Sequence, residues 1–292
     1  MDLSVITVTW NAEEHIAEQI RSVFSGCKNI SCEEIVVDNG STDKTVEIVF
    51  SGFPIKSGMT NTVKVIENKQ NFGFGAANNR GVEISKGEFL LFLNPDMKVS
   101  LGSLDIIVKW MKDHPDAGIA SVKLVDEQGQ VNRDAMPRRF PKVWEQVALI
   151  LKAPHIFPHM LHGYLMHHFD ADKEQEVDSV RGSFMLMRRE LIDKLGWAFD
   201  PRYFIWYEDV DICREAKRLG WKVMYTPVVS CIDYVGQAFK KQPTLLKQKR
   251  FTKSMLIYFQ KWEPWWRWMW IAAARPMGIG MAYVSDFMQR KK

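Results

Sequence analysis

The chain of 292 residues is 46% apolar and 25% charged, with a formal net charge of +4. Such a length holds one large α/β domain or two smaller ones, and the composition supplies an ordinary globular core. The mild charge announces neither nucleic acid nor membrane, and Cys27, Cys32, Cys213 and Cys231, which lack CxxC or finger spacing, read as reduced thiols of a cytosolic protein.

The opening MDLSVITVTW has no basic leader-like region and enters a strand pattern directly, so the sequons at Asn29 and Asn39 are expected to stay unglycosylated. Strand-like runs occupy residues 3–9, 35–38, 63–67 and 89–93, with helix-like segments near 12–25, 42–50 and 74–85. This alternation predicts βαβ units and a parallel sheet, whose ligands gather at the carboxyl ends of the strands. The first run ends at Thr9-Trp10-Asn11. The second ends at Asp38, with Asn39-Gly40 as the turn and Ser41 or Thr42 capping the next helix. The third is followed by the glycine-bearing NFGFGAANN at 71–79, and the fourth runs FLLFL straight into Asn94-Pro95-Asp96. Each alone reads as well as a turn. Four polar strand ends along one sheet edge read as a binding site. A dinucleotide fingerprint is disfavoured, because its third glycine is missing and it does not lie in the first βα turn.

Taken in order, VTWN, VVDNGSTD, NFGFGAANN and LFLNPD resemble the inverting family 2 glycosyltransferases, closest to the bacterial rhamnosyltransferase-type members. RGSFMLMRRELIDKLGWAFDPRYFIWYEDVDICREAKRLGWKV, residues 181–223, resembles the same family's acceptor-side segment. The resemblance implies an A-type glycosyltransferase fold in the α/β class: a Rossmann-like nucleotide-binding half with a mixed central sheet, an acceptor-binding half and a C-terminal helical tail. The expected division is a catalytic domain at 1–240, split into a nucleotide-sugar half (1–125) and an acceptor half (126–240), followed by an aromatic, basic tail at 241–292. By resemblance, Thr9, Asn11 and Asp38 cradle the nucleotide, and Asn71, Gly73 and Asn78 lie against the nucleotide sugar. Asp96 matches the last carboxylate of the family's metal motif, whose first carboxylate is replaced by Asn94. A single rigid Asp suffices in principle for Mg2+ or Mn2+, which take phosphates and waters as their remaining ligands. The family often has His where this chain has Asp233, three residues before Gly236; Asp233 reads equally as a replacement metal ligand and as a loop residue. Arg181 reads either as a diphosphate contact or as structural.

A helix is expected from about Glu208, with Ile212, Cys213, Ala216 and Leu219 as its apolar stripe. Asp209 precedes that stripe in register, so it is expected to point inward, while Asp211 and Arg214 point elsewhere or pair with each other. By resemblance Asp209 is the general base that deprotonates the acceptor hydroxyl, with Glu208 and Asp211 on the acceptor side. His155, His159, His162, His167 and His168 lie in an irregular segment at 137–176 and read as a mobile loop that could serve as an acceptor lid, rather than as a metal cluster. In the tail, Trp alternates with Lys and Arg; charges and Pro276 break any membrane span, leaving a membrane-surface helix and a helix packed on the domain or in a homodimer as equal readings.

These features imply a metal-dependent transfer of a sugar, with rhamnose the nearest guess, from a nucleotide-diphosphate donor to a glycan or lipid-linked acceptor. The expected location is the cytoplasm or the inner face of the cytoplasmic membrane, with no nucleic-acid partner. The alternatives are a binder of nucleotide sugars with weak catalysis, kept open by Asn94 and Asp233, and a sugar nucleotidyltransferase, which would need a glycine-rich basic loop that the stretch after Thr9 lacks.

Overall fold

The computed structural model describes residues 1–53, 61–234 and 244–289; Gly236 and the expected boundary at 240 lie outside them. Strands β1 (Leu3–Thr9), β2 (Cys32–Asp38), β3 (Asn61–Glu67) and β4 (Phe89–Leu93) run parallel. They are joined through α1 (Ile16–Gly26), α2 (Thr45–Gly52) and α3 (Phe74–Ile84). Register pairs Thr9 with Asp38 and Asp38 with Glu67, so the three strands end level and their polar termini share one edge.

The second half adds β5 (Met97–Val99), α4 (Ser103–Asp113), β6 (Ala117–Val125), α5 (Val143–Ile150), β7 (Gln175–Glu176) and β8 (Phe184–Arg188). It continues with α6 (Arg189–Leu195), α7 (Glu208–Arg218) and β9 (Lys222–Asp233), then the tail helices α8 (Thr244–Trp262) and α9 (Trp265–Gln289). The sheet order is β3-β2-β1-β4-β8-β6-β9-β5, with β7 on β9. Because β8 pairs antiparallel with both β4 and β6, the sheet is mixed, as expected for the two-half architecture.

Strand β2 begins at Cys32, earlier than the 35–38 run, because two carboxylates that look like loop chemistry are built into it. Glu33 accepts from Ser4 Oγ at 2.7 Å and pairs with Lys64 at 2.6 Å, while Glu34 accepts from Thr7 Oγ1 at 3.0 Å. A buried carboxylate is tolerated in a strand when neighbouring strands supply such partners.

Strand β4 is covered on both faces, which explains its unbroken apolar run. Phe92 joins a core with Ile6, Ala77, Phe199 and Ile212, whereas Leu91 and Leu93 join Val23, Leu104 and Leu186 on the other side. A third cluster packs Met255, Tyr258 and Phe259 of α8 and Ile271 of α9 against Tyr203, Tyr207 and Val210. Burying a Phe- or Leu-sized side chain contributes about 1.5–3 kcal/mol, so this contact fastens the tail firmly to the acceptor half.

Candidate active site

At the nucleotide edge, Thr9 Oγ1 donates to Asp38 Oδ1 at 3.1 Å, and the N–H groups of Gly40 and Ser41 donate to Asp38 Oδ2 at 3.1 and 3.0 Å. Asn11 sits at φ 55°, a left-handed conformation that Asn tolerates. Its side-chain oxygen accepts from Thr42 N–H at 2.8 Å and its own N–H reaches Ser41 Oγ at 2.9 Å. Thr9, Asn11 and Asp38 are thus brought together, and the β1 and β2 ends form one clamped loop pair.

The glycine-rich segment is tied to that pair by Asn39, which sequence reasoning took only for a turn residue. Its amide nitrogen donates to Asn71 Oδ1 and to the Gly73 carbonyl, both at 3.1 Å, and its oxygen accepts from Asn68 Nδ2 and Phe72 N–H at 3.0 Å. Gly73 has φ 93°, and a Cβ there would lie 2.3 Å from the Phe204 carbonyl oxygen. The next residue, Phe74, donates its N–H to that same carbonyl at 2.7 Å. Glycine is therefore needed where the start of α3 meets the acceptor half. Asn78 is buried in α3 and donates to the Phe74 carbonyl of its own helix at 3.0 Å. Its neighbour Asn79, which sequence reasoning missed, accepts from Ala198 and Phe199 N–H at 3.0 Å and donates to the Phe199 carbonyl at 2.6 Å.

Asp96 lies in the turn between β4 and β5. The antiparallel β5–β9 register sets Met97 opposite Asp233, and Tyr234 N–H donates to the Asp96 carbonyl at 3.0 Å. The two carboxyl-bearing residues are therefore neighbours on adjoining strand ends, each about nine-tenths buried. Asp233 also accepts from Asn132 Nδ2 at 3.0 Å. Among the described residues no group of three His, Cys, Asp or Glu is placed to hold a metal ion, and this includes the histidine-rich segment, where His162 and His167 stack at 4.5 Å.

Helix α7 starts at Glu208 as expected, after Trp206 and Tyr207 at φ 65° and 70°. Two bulky residues in the left-handed region cost on the order of 1–3 kcal/mol each. They turn the chain so that the carboxylate pair opens the helix. Asp209 is half-buried; its Oδ2 accepts from Gly182 N–H at 3.3 Å and its Oδ1 from Val210 N–H at 2.8 Å. Glu208 is buried, and its Oε2 has no hydrogen-bond partner. Burial first, and then the neighbouring Asp209 charge, push its carboxyl up to about 8.

The stripe Ile212, Cys213 and Ala216 faces the core as predicted, and Asp211 and Arg214 lie off it, but they do not pair with each other. Asp211 is completely buried, accepting from Lys261 Nζ at 2.7 Å and Trp262 Nε1 at 2.6 Å. Arg214 does not pair with it. Arg214 instead donates to Tyr258 Oη at 3.0 Å and lies 4.7 Å over the Trp262 ring. The physical reason is α8, which covers the face of α7 that a single-helix pattern assigns to solvent. Arg181 directly precedes Gly182, whose N–H bonds Asp209; burial first, and then the Arg138 charge, hold its guanidinium below its ordinary value.

A sheet whose β1, β2 and β4 ends carry the polar loops, with an acidic helix start opposite them, is the site architecture of an A-type glycosyltransferase. The chain belongs to glycosyl transferase family 2, whose family model matches residues 4–196. It is 24% identical to the N-acetylglucosaminyl-diphospho-decaprenol L-rhamnosyltransferase of Mycobacterium tuberculosis, over 91% of this chain and 86% of that protein. It is 25% identical to the rhamnosyltransferase WbbL of Escherichia coli, over 56% of this chain and 61% of that one. In fold it is similar to a mannosyltransferase from Pyrobaculum calidifontis solved with GDP-Man and Mn2+, with TM-score 0.58, 17% identity, and coverage of 97% of this chain and 73% of the other. The protein is accordingly a glycosyltransferase that takes its sugar from a nucleotide-sugar donor.

Proposed function

We propose that the protein catalyses an inverting transfer of a hexose, rhamnose being the favoured sugar, onto a hydroxyl of a lipid-linked glycan in surface polysaccharide synthesis. The observation that carries this reading is Asp209, a half-buried carboxylate held at the start of α7 by Gly182 N–H. In the proposed step Asp209 accepts the proton of the acceptor hydroxyl while that oxygen attacks the anomeric carbon. The bond from that carbon to the diphosphate breaks on the opposite face, and the nucleoside diphosphate departs. Thr9, Asn11 and Asp38 hold the nucleotide, and Asn71, Gly73 and Asn78 border its sugar. Glu208, kept protonated by burial, offers an O–H donor to acceptor or loop. Asp211 supports the site from behind, by anchoring α7 to the tail.

The donor set fits a hard divalent cation: two carboxyl-bearing residues, Asp96 and Asp233, meet at adjoining strand ends, and Mg2+ or Mn2+ commonly uses one or two carboxylates beside phosphate oxygens. When bound, such an ion offsets the charge that develops on the diphosphate. The sugar and acceptor follow the activity of the mycobacterial relative.

The tail supports a peripheral membrane contact. Trp265, Trp266, Trp270, Met277, Tyr283 and Phe287 of α9 are exposed, and residues 244–289 hold seven basic residues against two acidic ones. No helix among the described residues is long and apolar enough to cross a membrane.

The test is a thermal-shift panel of nucleoside diphosphates and nucleotide sugars, each with and without Mn2+, followed by turnover assays of Asp209→Asn. A donor at a hundredfold excess over Kd stabilises the fold by about 2.7 kcal/mol. Turnover lost in Asp209→Asn with donor binding intact supports the reading; no shift with any nucleotide sinks it.

A further inference from the structure

Phe74, the first residue of α3, stands between Gly73 and Gly75 and takes no part in the proton transfer. Its backbone is pinned to the acceptor half: its N–H donates to the Phe204 carbonyl at 2.7 Å, and a Cβ at Gly75 would lie 3.2 Å from Phe199 Cβ. One side of its ring is held by the core, 5.5 Å from the Phe199 ring, which in turn meets the Phe92 ring edge-on at 4.8 Å. The far end of the ring reaches the proposed base. A Cβ added at Gly182 would lie 3.5 Å from Phe74 Cε1 and 3.6 Å from Asp209 Cβ, so one point at Gly182 touches both side chains. The Gly182 N–H also donates to Asp209 Oδ2. Phe74, Gly182 and Asp209 are each half-buried, so all three keep surface open to a ligand.

The reaction brings the sugar to this ring. At the moment of transfer one oxygen is within hydrogen-bond reach of the base and is also bonding to the anomeric carbon, so a group that adjoins the base adjoins the reacting centre. A base that takes a proton from an acceptor hydroxyl takes one as readily from water, and a transferase avoids that side reaction by keeping water out. A phenyl ring has no hydrogen-bonding atom to hold a water in place, and aromatic walls of this kind commonly line the pockets of small ligands.

We propose that Phe74 is the wall of the reacting centre: its ring lies against the sugar being transferred and keeps water from Asp209, so that the sugar goes to the acceptor hydroxyl rather than to water. The inference rests on the assignment of Asp209 as base and deepens it by naming a residue that decides the fate of the activated sugar. In the reaction that Phe74 suppresses, the water oxygen bonds to the anomeric carbon and Asp209 takes one of the water protons. The bond to the diphosphate breaks, and the nucleoside diphosphate leaves with that electron pair.

The experiment needs no acceptor. The probes are dTDP, UDP and their rhamnosyl esters with Mn2+, applied to wild type, Phe74→Leu, Phe74→Ala and Phe74→Ala combined with Asp209→Asn, each checked for folding by its melting temperature. Release of free rhamnose is expected to rise about tenfold in Phe74→Ala, less in Phe74→Leu, and to vanish in the double variant. By calorimetric titration, Phe74→Ala is expected to bind the rhamnosyl ester about tenfold more weakly and the bare nucleoside diphosphate as wild type does. Where Phe74→Ala does not fold, Phe74→Leu carries both comparisons with smaller changes in the same directions. Weakening shared equally by diphosphate and ester makes Phe74 a support of the donor loop and overturns the proposal, as does hydrolysis that stays at the wild-type rate. Wild type that binds none of the four probes removes the transferase reading itself, and this inference with it.

Discussion

The carboxylate of Asp211 lies 2.7 Å from the ammonium of Lys261, a residue 50 positions further along on α8. Lys261 also reaches Glu215 at 2.8 Å and Asp200 at 3.3 Å, and it sits 5.0 Å over the Trp197 ring. One tail lysine thus answers three buried carboxylates around the helix that bears Asp209. Burial opposes its charge, but the bonds to Asp211 and Glu215 win and raise its affinity for the proton. Removing one member of a buried ion pair costs about 3–5 kcal/mol, because the other charge is left alone. Lys261→Met is therefore expected to lower stability by that order in urea denaturation, and to reduce kcat through a loosened α7. Unfolding at the wild-type midpoint would show that the tail is not structurally coupled to the base.

Glu208 makes stability depend on pH. Its carboxyl stands at about 8 in the folded protein against an ordinary 4.5, so between those values the folded chain keeps a proton that the unfolded chain has lost. Stability from this group is complete below 4.5 and is lost as pH rises through 8. Glu208→Gln removes the titration. It is expected to hold its stability between pH 5 and 8.5, where wild type loses on the order of a few kcal/mol. Parallel denaturation curves for the two proteins over that range would refute the assignment.

Gly73 and Gly220 separate close approach from backbone strain. Both have positive φ, 93° and 86°, but a Cβ at Gly73 meets the Phe204 carbonyl at 2.3 Å, while at Gly220 nothing lies within 4 Å. Gly220→Ala is expected to cost about 1 kcal/mol from strain alone. Gly73→Ala should cost at least 2 kcal/mol more, by pushing α3 away from the acceptor half, and should weaken nucleotide-sugar binding about tenfold. Calorimetric titration of the donor reads the second effect; equal stabilities for the two variants would contradict the contact.

Asp233 is paired in register with the strand that follows Asp96. Asp233→Ala is expected to move the midpoint of Mn2+ activation upward by about tenfold, since divalent-cation affinity follows the count of charged ligands. Asn132→Ala, which removes the 3.0 Å bond to Asp233 together with the cap that Asn132 Oδ1 gives Asp134 N–H, should move it less. Superimposable Mn2+ curves for Asp233→Ala and wild type would make Asp233 a loop residue.

The parallel half was readable because its signals are local. A buried strand is a short apolar run, and β1 and β4 begin and end where the pattern says they do. The polar strand ends were readable for the same reason: Thr9 and Asp38 close such runs, and Asp96 comes three residues after one. Strand β2 was read too short, because Glu33 and Glu34 are made tolerable by Ser4, Thr7 and Lys64 on neighbouring strands, which periodicity within one segment does not register.

By itself the sequence determined the α/β alternation, the glycosyltransferase motifs in order, and the inward stripe of α7, all properties of residues within a turn or a strand of one another. Only the tertiary structure decided that Asp211 belongs to Lys261 rather than Arg214, that Asp233 comes beside the Asp96 turn, and that Asn39 and Asn79 stitch the loops together. Each of these joins residues far apart in the chain. Such pairs are selected by which faces the completed sheet and the tail helices bury together, and a buried charge takes whatever partner that packing delivers.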